Sequence, residues 1–321
     1  MKHLALTATR RRALTYMGAL LCTTASMAQP AAGSVLRIGY QKSSALITVL
    51  KAKSTLEPLL AAKGVKVSWH EFTSGLPLLE ALNLGNIDFS ADVADTVPVF
   101  AQAAGAQITY VAQEAPSPTA QAIVVRADSP IRQVSDLKGR KVGLAKAAGA
   151  HYLLIAALDK AGLSFKDIEP AYLSPADGRA AFEKGAIDAW VVWDPFLSAV
   201  KVQSQARVLS VARDTASYQR YYLASDAYAK ANPEVLRLIY QELQKAGVWV
   251  KKSPKEAAAL LAAVWGLEPA IVEQANAHRS YDVRAVTPSG LFEQQKIADA
   301  FLAEKLLPKR VDTQALAIFK P

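Results

Sequence analysis

The chain has 321 residues, of which 51% are hydrophobic and 20% charged, and a formal net charge of +9. That is enough apolar material for two α/β domains, and its Lys and Arg are too scattered for a nucleic-acid footprint. The single cysteine, Cys22, excludes a disulfide framework and a cysteine-rich metal site.

Lys2, Arg10, Arg11 and Arg12 precede a mostly apolar run from Ala13 to Thr24, and Ser26-Met27-Ala28 supplies small residues for cleavage. Residues 1–28 therefore read as an export signal. Thr9-Arg10-Arg11-Arg12-Ala13-Leu14 also fits a loose twin-arginine pattern, so either export route is open. The apolar run is too short to span a bilayer, and no later run is long enough. A periplasmic, soluble protein is expected. Processing would remove four positive charges and Cys22, leaving a mild excess weakly consistent with anionic ligands. Leu21, not a small residue, precedes Cys22, which speaks against a lipid anchor.

Val35-Leu36-Arg37-Ile38-Gly39-Tyr40 alternates as a first strand. Ser43 or Ser44 then caps an apolar helix from Ala45 to Leu60, and Val65 to Trp69 alternates again. Thr73-Ser74-Gly75 starts a helix ending at Leu84, Val97 to Ala104 reads as another, and Ile108 to Ala112 as a strand. Pro116-Ser117-Pro118 leads to Ala122-Ile123-Val124-Val125, a first crossing into a second lobe. Ser135 to Leu144 is a capped turn followed by a strand, and Ala150 to Ala161 is a helix stopped by Gly162. Ser174-Pro175-Ala176-Asp177 is a strong helix start. Val208 to Val211 is a strand, Tyr218 to Leu223 the return crossing, and helices follow from Pro233.

Within this order a motif occurs twice. Gly85-Asn86-Ile87-Asp88-Phe89 ends one helix, and Gly185-Ala186-Ile187-Asp188-Ala189 ends another. In both, Gly supplies a left-handed cap and Ile-Asp enters a buried strand. Two similar lobes with a cleft between them follow. The fold class is expected to be α/β, with two lobes. Each lobe is expected to be a mostly parallel sheet with helices on both faces. Residues 35–119 and 222–321 form lobe 1, residues 120–221 form lobe 2, and there are two hinge crossings.

Ligands of open α/β sheets bind beyond the carboxyl ends of strands. That rule selects Gln41 to Ser44, Ser90 to Thr96, Lys146 to His151, and Trp193-Asp194. Helix starts there offer free N–H groups and the positive end of a dipole, which suits an anion. Simpler roles stay open: a plain cap at Ser43 or Ser44, a core position for Trp193, a turn at Asp194.

The chain resembles the aliphatic-sulfonate-binding proteins of ABC importers, in the wider taurine- and nitrate-binding group. The resemblance rests on Arg37-Ile38-Gly39-Tyr40-Gln41-Lys42, Gly85-Asn86-Ile87-Asp88, Phe100 to Ala106, Asp136-Leu137-Lys138-Gly139, Arg179-Ala180-Ala181-Phe182, Trp193-Asp194-Pro195 and His278-Arg279, in that order. It implies a two-lobed type II periplasmic-binding-protein fold and a receptor that closes on a small organic anion, an aliphatic sulfonate, and delivers it to a permease with its ATPase. The ligand-binding residues it implies are Gln41, Lys42, Ser43, Ser44, Asp92, Val93, Asp95, Ala148, Gly149, Ala150, His151, Trp193 and Asp194. No cofactor, metal or nucleic acid is expected, and the protein is expected as a monomer.

Two departures fall in that set. Ala147-Ala148-Gly149 stands where such proteins often carry Gly-Ser-Ser, and Asp92 stands where small or hydroxyl residues are usual. A carboxylate in an anion cleft repels the ligand. Asp92 is therefore expected to point away, to pair with Lys42 or Lys146, or to meet a hydroxyl or amine at the ligand's other end. The last is preferred, and a structural Asp bonded to nearby backbone is the alternative.

An enzyme is the rival class. His70, His151 and His278 show no metal spacing, and no nucleophile elbow, Walker loop or dinucleotide fingerprint occurs. A pyrimidine-synthesising enzyme shares the broader fold, but its cysteine-rich site is absent. His151 is expected as a ligand donor or cap before a base. A receptor for another organic anion, such as an aromatic sulfonate or a carboxylate, or a module docking to a sensor, is the second alternative.

Overall fold

The computed structural model describes residues 34–313 and 316–321, and the export signal read at 1–28 lies outside them. The chain begins with β1 (Ser34–Gln41), α1 (Ala45–Ala52), α2 (Leu56–Ala61), β2 (Val65–Phe72), α3 (Gly75–Asn83), β3 (Phe89–Ala94), α4 (Thr96–Ala103) and β4 (Ile108–Glu114). It crosses to β5 (Gln121–Val125), β6 (Lys141–Leu144), α5 (Gly149–Lys160), β7 (Glu169–Tyr172), α6 (Pro175–Glu183), β8 (Ala189–Trp193), α7 (Phe196–Gln203) and β9 (Arg207–Val211). It returns through β10 (Arg220–Ser225), then adds α8 (Asp226–Ala231), α9 (Pro233–Lys252), α10 (Pro254–Trp265), α11 (Pro269–His278), β11 (Val283–Arg284), α12 (Phe292–Ala303) and β12 (Ala317–Ile318).

Two sheets result. The larger has the order β11-β4-β10-β3-β1-β2 with β12 beside β4, and the smaller has β7-β6-β8-β5-β9. Parallel pairing was expected throughout most of each sheet. It holds for β1 with β2 and β3, and for β6 with β7 and β8. The strands next to the crossings, β5 and β10, pair antiparallel with both neighbours. The reason is topological: a strand that enters a sheet from the other lobe arrives running against its neighbours.

The crossings themselves are residues 115–120 and 215–219. They touch, with Ser117 N–H donating to the Tyr218 carbonyl at 3.2 Å. The return crossing is thus shorter than read from sequence. Arg220 and Tyr221, on the second-lobe side of a boundary at 221, already pair with β3 and β4 of the larger sheet. The helix expected from Ala45 to Leu60 is also split. Lys53 and Thr55 N–H return to Val49 and Leu50 carbonyls, and Ser54 takes a φ of 48°.

The repeated motif performs one job twice. Gly85 and Gly185 have φ of 71° and 70°. Asp88 accepts from Arg37 N–H at 2.8 Å and Asp188 from Lys141 N–H at 2.9 Å, so each carboxylate fastens the neighbouring parallel strand. Ile87 lies over Gly39 and Ile187 over Gly143, where an added Cβ would stand 2.4 Å from either isoleucine Cδ1. The two lobes share one apolar core cluster, running from Leu78, Val97 and Tyr221 to Ile123, Leu153 and Val191. The cleft is therefore closed. Among the described residues no helix is long and apolar enough to cross a membrane.

Candidate ligand-binding site

The carboxyl ends of β1, β3 and β8 meet the starts of α3 and α5 at a narrow cavity of about 10 Å³. A wider groove, lined by Gly105, Gln107 and Lys309 among others, lies at the amino end of β4 and is open to solvent. Ligands of such sheets sit at the carboxyl ends, so the smaller and more enclosed cavity is the candidate.

Four of the residues singled out in the sequence line it: Gln41, Ala148, Gly149 and Trp193. Gln41 is held by its Nε2, which donates to the Asp92 carbonyl at 3.1 Å. Ala148 and Gly149 begin α5, whose start has no side-chain cap. Trp193 ends β8, and its buried Nε1–H has no hydrogen-bond partner among the described residues. A buried donor left unpaired costs about 1–3 kcal/mol, which a ligand acceptor would recover.

The others serve the walls. Lys42 is partly buried in the turn after β1. Ser44 is the N-cap residue of α1, and its Oγ accepts from Gln41 N–H at 3.3 Å. Ser43 Oγ accepts from Arg220 at 3.4 Å. Val93 and Ala150 are fully buried packing residues. Asp95 caps α4, accepting from Thr96 N–H at 3.0 Å and from Gln219 N–H in the return crossing at 2.9 Å. Burial pushes its carboxyl up to about 6, against the opposing pull of the Gln219 and Thr96 bonds.

His151 does not present a donor to the cavity. Its Nδ1 accepts from Ala147 N–H at 3.2 Å, and its ring packs among Phe165, Tyr172 and Phe301. Burial and the Lys146 charge hold its pKa down at about 3, so it is neutral. Neither expected role is seen: α5 has no side-chain cap, and the ring serves as a buried acceptor for the turn that precedes the helix. Asp194 also turns aside. Its Oδ1 accepts from Ser198 N–H at 2.9 Å and Oδ2 lies 2.6 Å from His278 Nδ1 at the end of α11. A contact between the lobes therefore occupies a residue expected on the ligand.

Asp92 differs most from expectation. It lies beneath the cavity with Oδ2 at 2.5 Å from Arg220 Nε and 3.0 Å from Arg279, in place of Lys42, Lys146 or a ligand donor. Arg279 also binds Glu114 at 2.7 Å, and Tyr222 donates to Glu114 at 2.8 Å. Two guanidiniums thus face two carboxylates, and the cluster is balanced. Burial works against the charge of Arg220, but the fields of Asp92 and Tyr218 outweigh it and its pKa rises. For Arg279 burial is likewise outweighed, by Glu114 and Asp92, and the pKa lies well above the ordinary value.

Ala94, within the selected segment Ser90 to Thr96, also lines the cavity, and sequence reasoning missed Gly75, Val97, Tyr218 and Arg220 in its wall. For Arg220 a signal existed: a cation opening the otherwise apolar strand Arg220-Tyr221-Tyr222-Leu223-Ala224 must find a buried partner or a ligand. Gly75 opens α3, and Ser74 before it makes no side-chain cap. Two uncapped helix starts, one from each lobe, therefore meet at the same cavity. No group of His, Cys, Asp or Glu among the described residues is placed to hold a metal.

This fold and site define a two-lobed α/β protein of the periplasmic-binding-protein type. Residues 60–257 match the NMT1/THI5-like family. An aliphatic sulfonates-binding protein of Escherichia coli K12 is 40% identical over 300 residues, covering 93% of both chains. The alkanesulfonate-binding protein SsuA from Xanthomonas axonopodis pv. citri, solved bound to MOPS, superposes with a TM-score of 0.82 at 40% identity, covering 87% of this chain and 96% of that one. The periplasmic aliphatic sulphonate binding protein SsuA from Escherichia coli gives 0.79 at 39% identity, covering 89% and 97%. The chain belongs to the NMT1/THI5-like family and, within it, to the aliphatic sulfonates-binding proteins.

Proposed function

We propose that this chain is the periplasmic substrate-binding protein of an ABC importer, taking an aliphatic sulfonate into the cleft and delivering it to a permease with its ATPase. One observation carries the reading: the starts of α3 and α5, neither with a side-chain cap, converge from opposite lobes on a cavity also lined by Trp193, whose buried indole N–H has no partner among the described residues. A helix end contributes about 0.3–1 kcal/mol to a bound anion when exposed and about 2 when partly buried. Hydrogen bonds to a charged group add about 1.5–3 kcal/mol each. Arg220 brings a guanidinium to the wall, but its charge is already matched by Asp92, so dipoles and neutral donors do most of the holding.

Residues 121–214 and the remainder close about the crossings 115–120 and 215–219, and closure dries the site. The relatives named as sulfonate-binding proteins support a receptor over an enzyme, and the balanced cluster holds no free base against the cavity. Calorimetry with ethanesulfonate, acetate and sulfate tests this. Ethanesulfonate is expected to bind without turnover, and Trp193→Phe to weaken it by about tenfold, the worth of one lost hydrogen bond to a charged group. Equal binding by Trp193→Phe would remove the indole from the site, and conversion of the ligand would make the protein an enzyme.

A further inference from the structure

Gly149 lines the cavity. It opens α5 in the smaller lobe and faces Ala94, at the end of β3 in the larger lobe, and the ring of Tyr218 in the return crossing. A Cβ at this position would lie 2.7 and 2.8 Å from Tyr218 Cε2 and Cδ2, and 3.0 Å from the Ala94 methyl. Its φ is outside the left-handed region, so the backbone does not call for glycine there, and space alone does. The opposing atoms have little freedom to move. Ala94 is part of a sheet strand, and the Tyr218 hydroxyl accepts from Arg220 at 2.8 Å, while Arg220 is fixed by Asp92. Tyr218 itself is buried, at a φ of 50°. Any bulk added at Gly149 must therefore push the two lobes apart. The bare Cα lets them approach until the cavity shrinks to about 10 Å³, so a ligand is admitted only as the lobes stand apart to make room for it, and a larger ligand needs a wider separation.

We infer that Gly149, set against Tyr218 and Ala94, fixes the size limit of the closed site and makes this protein a receptor for short-chain sulfonates, with methane- and ethanesulfonate preferred over long-chain or ring-bearing ones. This rests on the sulfonate reading above and adds the carbon chain it selects. Ala148 and Gly149 present their backbone to the anion, and the close walls leave the carbon end no room for a long tail or a ring. Specificity is then a matter of closure: a bulky ligand fits only if the cleft stays wider, which separates the α5 start from the α3 start and loses the donors of one of them.

The test is calorimetry on the full processed protein with methanesulfonate, ethanesulfonate, octanesulfonate and MOPS. Wild type is expected to bind the two short ligands at least about tenfold more tightly than the two large ones, the discrimination that a tight apolar wall supplies. Gly149→Ala should weaken the short ligands by about tenfold through overpacking and narrow the gap to the large ones. Adding Tyr218→Leu to Gly149→Ala removes the ring that the methyl meets, and should return part of the loss on the short ligands. Equal wild-type affinity for ethanesulfonate and MOPS overturns the size limit while leaving the sulfonate reading intact. No binding of any sulfonate overturns the sulfonate reading itself. If Gly149→Ala fails to fold, judged by circular dichroism, the wild-type size series still decides.

Discussion

Burial shifts His151 and Asp95 in opposite directions, so their contributions to stability depend on pH with opposite sign. His151 is held down at about 3 in the folded protein against 6.5 when free. Its contribution to stability is complete above about 6.5 and is lost as pH falls toward 3, because the unfolded chain then binds the extra proton. Asp95 is raised to about 6 from 3.8. Its contribution is complete below about 4 and is lost as pH rises through 6. Between pH 4 and 6 the two slopes oppose each other at about 1.4 kcal/mol per pH unit each, so together they nearly cancel. Urea unfolding at pH 4, 5 and 6 should separate them. Relative to wild type, His151→Gln gains stability as pH falls across that window, and Asp95→Asn gains as pH rises. Parallel profiles for wild type and both variants would show that neither group titrates as its burial requires.

At the scale of elements, the repeat is a strand fastener, and its two copies differ in strength. Asp88 holds Arg37 by its backbone N–H and also by its guanidinium, with Nε at 2.9 Å. Asp188 holds only the Lys141 N–H. Asp88→Ala is therefore expected to cost about 2–3 kcal/mol and Asp188→Ala about 1, the difference between charge-assisted and single bonds. The packing half of the motif makes its own prediction. Gly39→Ala drives a methyl into Ile87 Cδ1 and should cost about 1–3 kcal/mol, with Ile87→Val recovering much of it by removing that atom. Chemical denaturation of the single and double variants reads this directly, and additive costs would mean the two side chains do not meet.

Over the whole molecule, closure is fastened on both sides of the cavity. His278 reaches Asp194 from α11 to the α7 side, and Phe301 of α12 lies against His151 with ring centroids 4.8 Å apart. The His278–Asp194 contact is the polar one and joins the two lobes directly. Asp194→Asn keeps an acceptor for Ser198 but gives up the charge facing His278. It is expected to enlarge the ligand-free radius of gyration in solution scattering and to weaken sulfonate binding by several-fold, roughly the worth of one charge-assisted bond. An unchanged radius and affinity would mean that the lobes are held by their apolar contacts alone.

Much of this was legible in the order of residues. The left-handed glycines at 85 and 185, the start of α6 at Ser174, the alternation of β1 and the strand-end positions of Gln41, Ala148, Gly149 and Trp193 are each encoded by near neighbours along the chain. Backbone conformation and helix capping are local physics, so a short window of sequence holds them, and family resemblance then supplied the ligand class. What the window could not hold was pairing. Asp92 meets Arg220 from 128 positions away and Arg279 from 187, and Asp194 meets His278 from 84. Buried charges must find opposite charges, but which ones depends on how the crossings thread β10 between β3 and β4 and where α11 lands. Only the folded chain decided that Asp92 is a structural counter-ion, that His151 is a buried acceptor for the Ala147 N–H, and that Gly149 is where the lobes meet.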